Sequence, residues 1–343
     1  MRGAQLKNRS WLLYLVIIFL YSCEDNDDKI SANLPELKKT FISISGSTGL
    51  YDAVTFNIGG TEYIGLGWNN IMGDNLHFSK YSPNFHEREM IESVYPGKPR
   101  YGAVAFVIEG KAYVGLGYML SHNVHEVYDD FFVYDTLTRN WEKLSFQFPG
   151  KARRGAVAFS IGGKGYVGTG TVNPGLPGDE EYLADFYEFD PQIGWKQISN
   201  ISYPRYGATA FVAEGSGYVC FGNLYGGVSR ECGIQKFDPN TGKWTGLPVC
   251  YEDGEIGRLL SRSGVKSFVL NKGGHDYVYI FGGLTSPSDK TLGWGYNPSK
   301  NIWKSVDYPV GGDYGFTIGE YGYAMSTGNG GGAFEAYIFR AID

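Results

Sequence analysis

From about residue 50 onward, short apolar runs alternate with glycine-marked breaks. The clearest run, Ala103 to Ile108, is almost wholly apolar and predicts a strand buried on both faces. Glu109-Gly110 follows it, and Gly162-Gly163 stands at the same place one copy later; glycine takes the positive φ that a tight hairpin needs. A second strand, Ala112 to Leu116, ends at Gly117. After a variable loop, Phe132 to Asp135 predicts a third strand and Trp141 to Leu144 a fourth. The step from a turn residue to tryptophan recurs as Asp190 to Trp195, Asp238 to Trp244 and Asn297 to Trp303. Proline follows the turn residue in these later copies and presets φ there.

The unit is an internal repeat. Arg100 to Gly117 recurs as Arg153 to Gly170 and as Arg205 to Gly222, with looser copies at Leu50 to Gly67, Arg262 to Gly283 and Asp313 to Gly328. Taking Asp52, Gly102, Gly155, Gly207, Gly264 and Gly315 as markers, the copies lie roughly 50 residues apart. Four strands in such a period resemble kelch repeats, the blades of β-propellers of the galactose oxidase-like superfamily. The resemblance covers Phe41 to Asp343 and implies an all-β, six-bladed propeller. It departs from the family where the second strand ends: only Gly282-Gly283 gives the usual glycine pair, and the other copies have a single glycine. The sixth copy stops one strand short, and Phe41 to Ser45 is an orphan strand ahead of the first. The N-terminal strand is therefore expected to complete the last blade.

The first residues read differently. Arg2, Lys7 and Arg9 precede an apolar run, Trp11 to Leu20, too short for a comfortable membrane span. The sequence Leu20-Tyr-Ser-Cys23 resembles a lipobox, which implies a signal peptide over 1–22 and lipid on Cys23. The acidic cluster Glu24 to Asp28 resembles the surface-export signal of Bacteroidetes lipoproteins. The expected layout is thus a signal over 1–22, an acidic tether over 23–38 and the propeller over 39–343, in an exported outer-membrane lipoprotein exposed at the surface. Net charge is −6 for the whole chain, with no dominant basic patch, so nucleic-acid binding is not expected. Export permits disulfides; Cys232 and Cys250 flank the turn near Thr241 and are a candidate pair, while Cys220 reads as a small core residue.

In propellers of the resembled kind, the fourth-to-first and second-to-third loops share the face that commonly binds ligands and partners. Two residues before the markers stand Leu50, Arg100, Arg153, Arg205, Arg262 and Asp313. The four arginines are predicted at the channel lip. There they either grip a carboxylate or phosphate or pair between blades. Trp68, Tyr118, Tyr101 and Tyr206 are placed nearby and suit stacking on a sugar. His122 and His125 lack an evident further ligand, and no Tyr/Cys and paired-histidine set of the copper oxidase kind is found, so neither a metal nor a cofactor is expected. The reading favoured is a non-catalytic module that binds a glycan or a protein partner. The alternative is an enzyme resembling the sialic acid mutarotases, six-bladed exported propellers whose chemistry needs an acid/base group and an arginine for the substrate carboxylate. No catalytic acid is identified: Glu109 and Glu214 fall at turns on the opposite face, and Glu126 and Glu231 have no supporting pattern.

Overall fold

Each copy of the repeat pairs a phenylalanine on its first strand with a tyrosine directly across on its second. A computed structural model describes residues 31–44, 50–69, 73–81, 89–121, 124–172, 181–224, 233–251, 262–284, 292–307, 312–327 and 334–342. In it Phe56–Tyr63, Phe106–Tyr113, Phe159–Tyr166, Phe211–Tyr218, Phe268–Tyr279 and Phe316–Tyr323 all stack, with ring centroids 5.0–5.3 Å apart. These are the cross-strand pairs that stabilise a sheet, one per blade. The chain is all-β, with six blades arranged as a propeller.

Blade 1 holds Val54–Ile58, Thr61–Gly65, Phe78–Tyr81 and Glu89–Met90. Blade 2 holds Val104–Ile108, Lys111–Gly115, Phe131–Asp135 and Asn140–Lys143. Blade 3 holds Val157–Ile161, Lys164–Gly168, Phe186–Asp190 and Gly194–Ile198. Blade 4 holds Thr209–Ala213, Ser216–Cys220, Ile234–Asp238 and Lys243–Leu247. Blade 5 holds Ser263–Lys272, His275–Leu284, Leu292–Asn297 and Ile302–Asp307, with Cys250–Tyr251 added in parallel. Blade 6 holds Tyr314–Ile318, Tyr321–Thr327 and Phe334–Ile342, and Glu36–Ile44 pairs on its outer edge. The expected closure is therefore present, with Phe41 opposite Tyr337. The closing strand starts at Glu36, inside the stretch read as tether. Leu34 covers Gly295 there and the Asn297 side chain donates to the Ala32 carbonyl, 2.8 Å away, so chain and blade 5 hold each other.

First strands are buried unevenly, not equally on both faces. The phenylalanine face is sealed against the next blade, and the other face is half-buried. The seam needs a small partner. A Cβ on Gly165 would lie 2.3 Å from Phe106, on Gly217 2.5 Å from Phe159, and on Gly322 2.2 Å from Phe268. In blades 2 to 5 an outer-strand tryptophan fills the rest of the seam with the preceding blade: Trp195 reaches Phe131 at 5.1 Å and Trp244 reaches Phe186 at 4.5 Å. The sixth marker moves. Counting four residues back from the stacked phenylalanine gives Asp52, Gly102, Gly155, Gly207 and Gly264, and in blade 6 Gly312 rather than Gly315. A looser sixth copy hid this offset in the sequence.

In blade 1 the small seam position is taken by Glu62, one residue before Tyr63. It is buried on the face where Ile64 meets Tyr314 and Phe316 of blade 6. Burial pushes its carboxyl up to about 8, against the opposing hydrogen bonds from Asn57 and Thr55. A raised folded-state value means that native protein holds the proton more tightly than unfolded chain. Its contribution to stability is full below about 4.5 and is lost as pH rises towards about 8, at up to about 1.4 kcal/mol per pH unit. Glu62→Gln is expected to remove this pH-dependent loss. Thermal melts at pH 5 and pH 9 check it: the variant should match wild type at the lower pH and exceed it at the higher.

Candidate functional site

The four predicted arginines do not line the channel. Arg100, Arg153, Arg205 and Arg262 are among the most deeply buried side chains of the chain. Arg153 Nε donates to the Lys151 carbonyl at 2.8 Å and Nη1 to the Thr169 carbonyl at 3.1 Å. Its two Nη atoms grip Asp185 at 2.5 and 2.8 Å. Arg100 repeats the pattern with Lys98, Leu116 and Asp130. Arg205 keeps the carbonyl contacts to Tyr203 and Phe221, with Gly233 standing where the aspartates stand. Arg262 donates to the Gly282 carbonyl and lies 4.6 Å over the Trp294 ring. The reason is the loop after the second strand. Leu66, Leu116, Thr169 and Phe221 occupy the left-handed region with φ of 57–61°, where blade 5 has Gly282 at φ 69°. Such residues are strained there. In three of these blades the guanidinium takes the carbonyl that this turn presents. The arginine backbone also staples blades: Gly67, Gly117, Gly170 and Gly222 each donate to the arginine carbonyl of the next blade, at 2.7–3.0 Å. The anion-site reading of these arginines is corrected to a structural one. The signal was present in the sequence as Asp130-Phe131 and Asp185-Phe186, each about 30 residues beyond its arginine.

What does surround the channel mouth is the marker ring. Gly102 N donates to the Asp52 carbonyl at 2.9 Å, Gly207 N to Gly155 at 2.8 Å and Gly264 N to Gly207 at 2.7 Å. These positions share a left-handed backbone, with φ from 52 to 72°. Asp52 is the one ring member with a side chain. The residue is exposed, yet so much protein surrounds its carboxyl that desolvation raises it above the usual carboxylate range. Lys266, Arg154 and a hydrogen bond with Tyr118 oppose that rise. A Cβ on Gly102 would lie 3.1 Å from Asp52 Oδ2 and 3.5 Å from the Tyr118 ring, so the glycine leaves the space that brings the two together.

Outside the ring, short ladders form the rim. Tyr51 pairs with Trp68, Tyr101 with Tyr118, Arg154 with Thr171, and Tyr206 with Asn223. Arg154 lies between two aromatic rings, 5.0 Å from Tyr118 and 5.4 Å from Tyr206. Tyr182 packs edge-on to Tyr206 at 5.0 Å, and Tyr101 to Tyr118 at 5.4 Å. Trp68 sits 5.9 Å from Tyr51, and both are exposed. Burial and Asp52 raise the Tyr118 hydroxyl above its ordinary value, so it keeps its proton at neutral pH. Arg154 and Lys266, each acting on the Asp52 carboxyl, thus meet a group of tyrosines at one mouth.

The chain shares its fold with YjhT. The solved structure of YjhT, also a propeller, superposes with a TM-score of 0.65 at 17% identity, covering 86% of this chain and 96% of that one. No family model matches the chain. No curated protein sequence matches it either. At this identity the likeness to YjhT establishes architecture.

Of the residues singled out in the sequence, the mouth therefore gathers Tyr101, Tyr118, Tyr206 and Trp68. It adds Arg154 and Lys266, which sequence reading passed over, and Asp52, which it saw only as a marker of the repeat. Glu126 ion-pairs with Lys98 at 2.7 Å, which holds its carboxyl below the ordinary range, and Glu214 lies at a first-to-second strand turn bonded to Asp276. Cys220 is a buried free thiol. Cys23, Glu231 and Cys232 lie outside the described residues, and the Cys250 backbone pairs with Ile302.

Proposed function

We propose that this protein is a sugar-acid mutarotase acting at the channel mouth. The observation that carries the reading is Asp52, a carboxyl in a ring of glycines, in contact with Tyr118 and in the field of Arg154 and Lys266. In such a reaction the carboxylate takes the proton of the anomeric hydroxyl. The ring oxygen is protonated as its bond to the anomeric carbon breaks, and the resulting open carbonyl form recloses on either face. Asp52 is the base and Tyr118 the neighbouring proton donor; no oxidant or reductant is needed. Arg154 and Lys266 match a substrate carboxylate, and Tyr118 and Tyr206 match the faces of a sugar ring. The resemblance of the repeat to kelch repeats, from which the six-bladed sialic acid mutarotases are built, and the fold shared with YjhT support the same reading.

The test is anomer exchange of sialic acid and other sugar acids, followed by NMR. Catalytic amounts of protein should accelerate exchange; no acceleration with any of them sinks the proposal. The exposed pair Tyr51 and Trp68 favours a second reading, a glycan-binding module without catalysis. Glycan-array binding that persists unchanged in Asp52→Asn, with no exchange activity in wild type, selects that reading. Under either, the proposal keeps the chain as an exported outer-membrane lipoprotein held by lipid on Cys23.

A further inference from the structure

We infer that the cleft between blades 1 and 2 is a second binding site, apart from the channel mouth, and that it takes an acidic saccharide. The inference does not depend on the activity proposed at the mouth. One wall of the cleft is the third-to-fourth turn of blade 2, which the antiparallel register puts at the end of the blade away from the marker ring. At the next three seams this end is closed. Phe146 packs against blade 3, 6.1 Å from Phe189 and 2.6 Å from where a Cβ on Gly194 would lie. Ser199 Oγ donates to the Gly242 carbonyl of blade 4 at 2.7 Å, and Asn301 Nδ2 of blade 5 donates to the Pro248 carbonyl at 2.9 Å. Phe146 stands seven residues before Arg153, and the same count before Arg100 gives Ser93, which lacks the bulk to fill the seam. The fourth strand of blade 1, Glu89–Met90, spans two residues, against four to nine in the other blades.

The seam left open holds a cavity of about 650 Å³, a size that suits a small ligand. Tyr63 and Tyr134 meet across it with ring centroids 5.8 Å apart. Their rings are buried, both residues line the cleft, and neither hydroxyl is hydrogen-bonded among the described residues. Burial raises both hydroxyls above their ordinary value, so both keep their protons and can donate. Lys80 is taken by Glu89 at 2.8 Å. Arg139 is not ion-paired among the described residues, and its charge acts on both tyrosine hydroxyls. Its φ is 58°, at the turn position where blades 4 and 5 place Gly242 and Asn301, residue types that tolerate this conformation. A long side chain held there against its preference marks a position retained for more than the turn. One guanidinium and two phenolic donors around one space match a carboxylate or sulfate. A bare anion would leave most of the cavity empty. Glu92 adds an acceptor, Ser93 a hydroxyl and Met90, 44% exposed, an apolar patch. That mixture matches the hydroxyls and C–H faces of a sugar ring.

The experiment is calorimetric titration of the full chain carrying Arg154→Ala, which weakens the mouth and leaves the cleft intact. The probes are tetrasaccharides bearing uronic acid, sialic acid or sulfate, one neutral tetrasaccharide and a tetraglutamate peptide. At least one acidic saccharide is expected to bind, more tightly than the neutral one and the peptide. Adding Arg139→Gly should weaken it about 10-fold or more, the worth of a charged hydrogen bond. The melting temperature should hold or rise slightly, because glycine suits the backbone there. Tyr63→Phe with Tyr134→Phe, made in the wild type, removes two donors and no ring, and should also weaken binding of that saccharide. No binding of any acidic saccharide to the Arg154→Ala protein overturns the inference. So does binding that both cleft variants leave unchanged, or a peptide that binds as tightly as the best saccharide. Anomer exchange enters none of these outcomes, so the two proposals stand or fall separately.

Discussion

Arg153→Ala and Arg154→Ala, one residue apart, are expected to give opposite phenotypes. Arg153 is buried and fully bonded, and its removal leaves Asp185 and the Thr169 carbonyl without their donor. Burial alone raises the Asp185 carboxyl, but the Arg153 hydrogen bonds outweigh it and hold the group below its ordinary range. Breaking such a pair costs about 3–5 kcal/mol. In a protein of this size that lowers the melting temperature by on the order of 10 °C. Arg153→Lys should recover little, because a point charge cannot replace the fork that spans two carboxylate oxygens and a carbonyl. Arg154 is half-buried at the mouth between Tyr118 and Tyr206. Its replacement by alanine should leave the melting temperature within a few degrees and weaken binding of an anionic sugar roughly 10- to 100-fold, the worth of a charged hydrogen bond. Calorimetry of both variants beside ligand titration checks the contrast. Equal destabilisation by the two changes would place Arg154 among the structural arginines and remove the cation from the site.

Asp52 separates activity from stability. Asp52→Asn keeps the shape and removes the base, and exchange is expected to fall by about 100-fold or more. Asp52→Gly goes further: it makes the ring uniform. Asp52 has φ of 52°, a conformation that costs a side chain and suits glycine. Folding to glycine also loses more backbone entropy, so the two effects nearly cancel and stability should stay within about 1 kcal/mol of wild type. An unaltered or slightly raised melting temperature together with lost exchange identifies a residue retained for chemistry. The pH profile adds an independent readout. Because desolvation raises the Asp52 carboxyl, the acid limb of the wild-type rate profile should lie above the ordinary carboxylate range, and it should vanish in Asp52→Asn. Full exchange activity in either variant removes Asp52 from the mechanism.

The period, the apolar strands and the orphan N-terminal strand determined the propeller from sequence alone. Those features are local: a strand writes its pattern into consecutive residues, and a repeat writes it several times over. Tyr101, Tyr118, Tyr206 and Trp68 were placed at the mouth for the same reason, since they flank glycines whose position the repeat fixes. The division of labour between Arg153 and Arg154 was not written locally. It depends on Asp185, more than 30 residues away, in the loop that leads into the third strand of the same blade. Asp52 was visible as a marker of the repeat, but its role was not. That role comes from Tyr118 in blade 2, Arg154 in blade 3 and Lys266 in blade 5, which ring closure brings around one carboxyl. Charge and desolvation act through space across the axis, and only the closed ring decides which side chains share it.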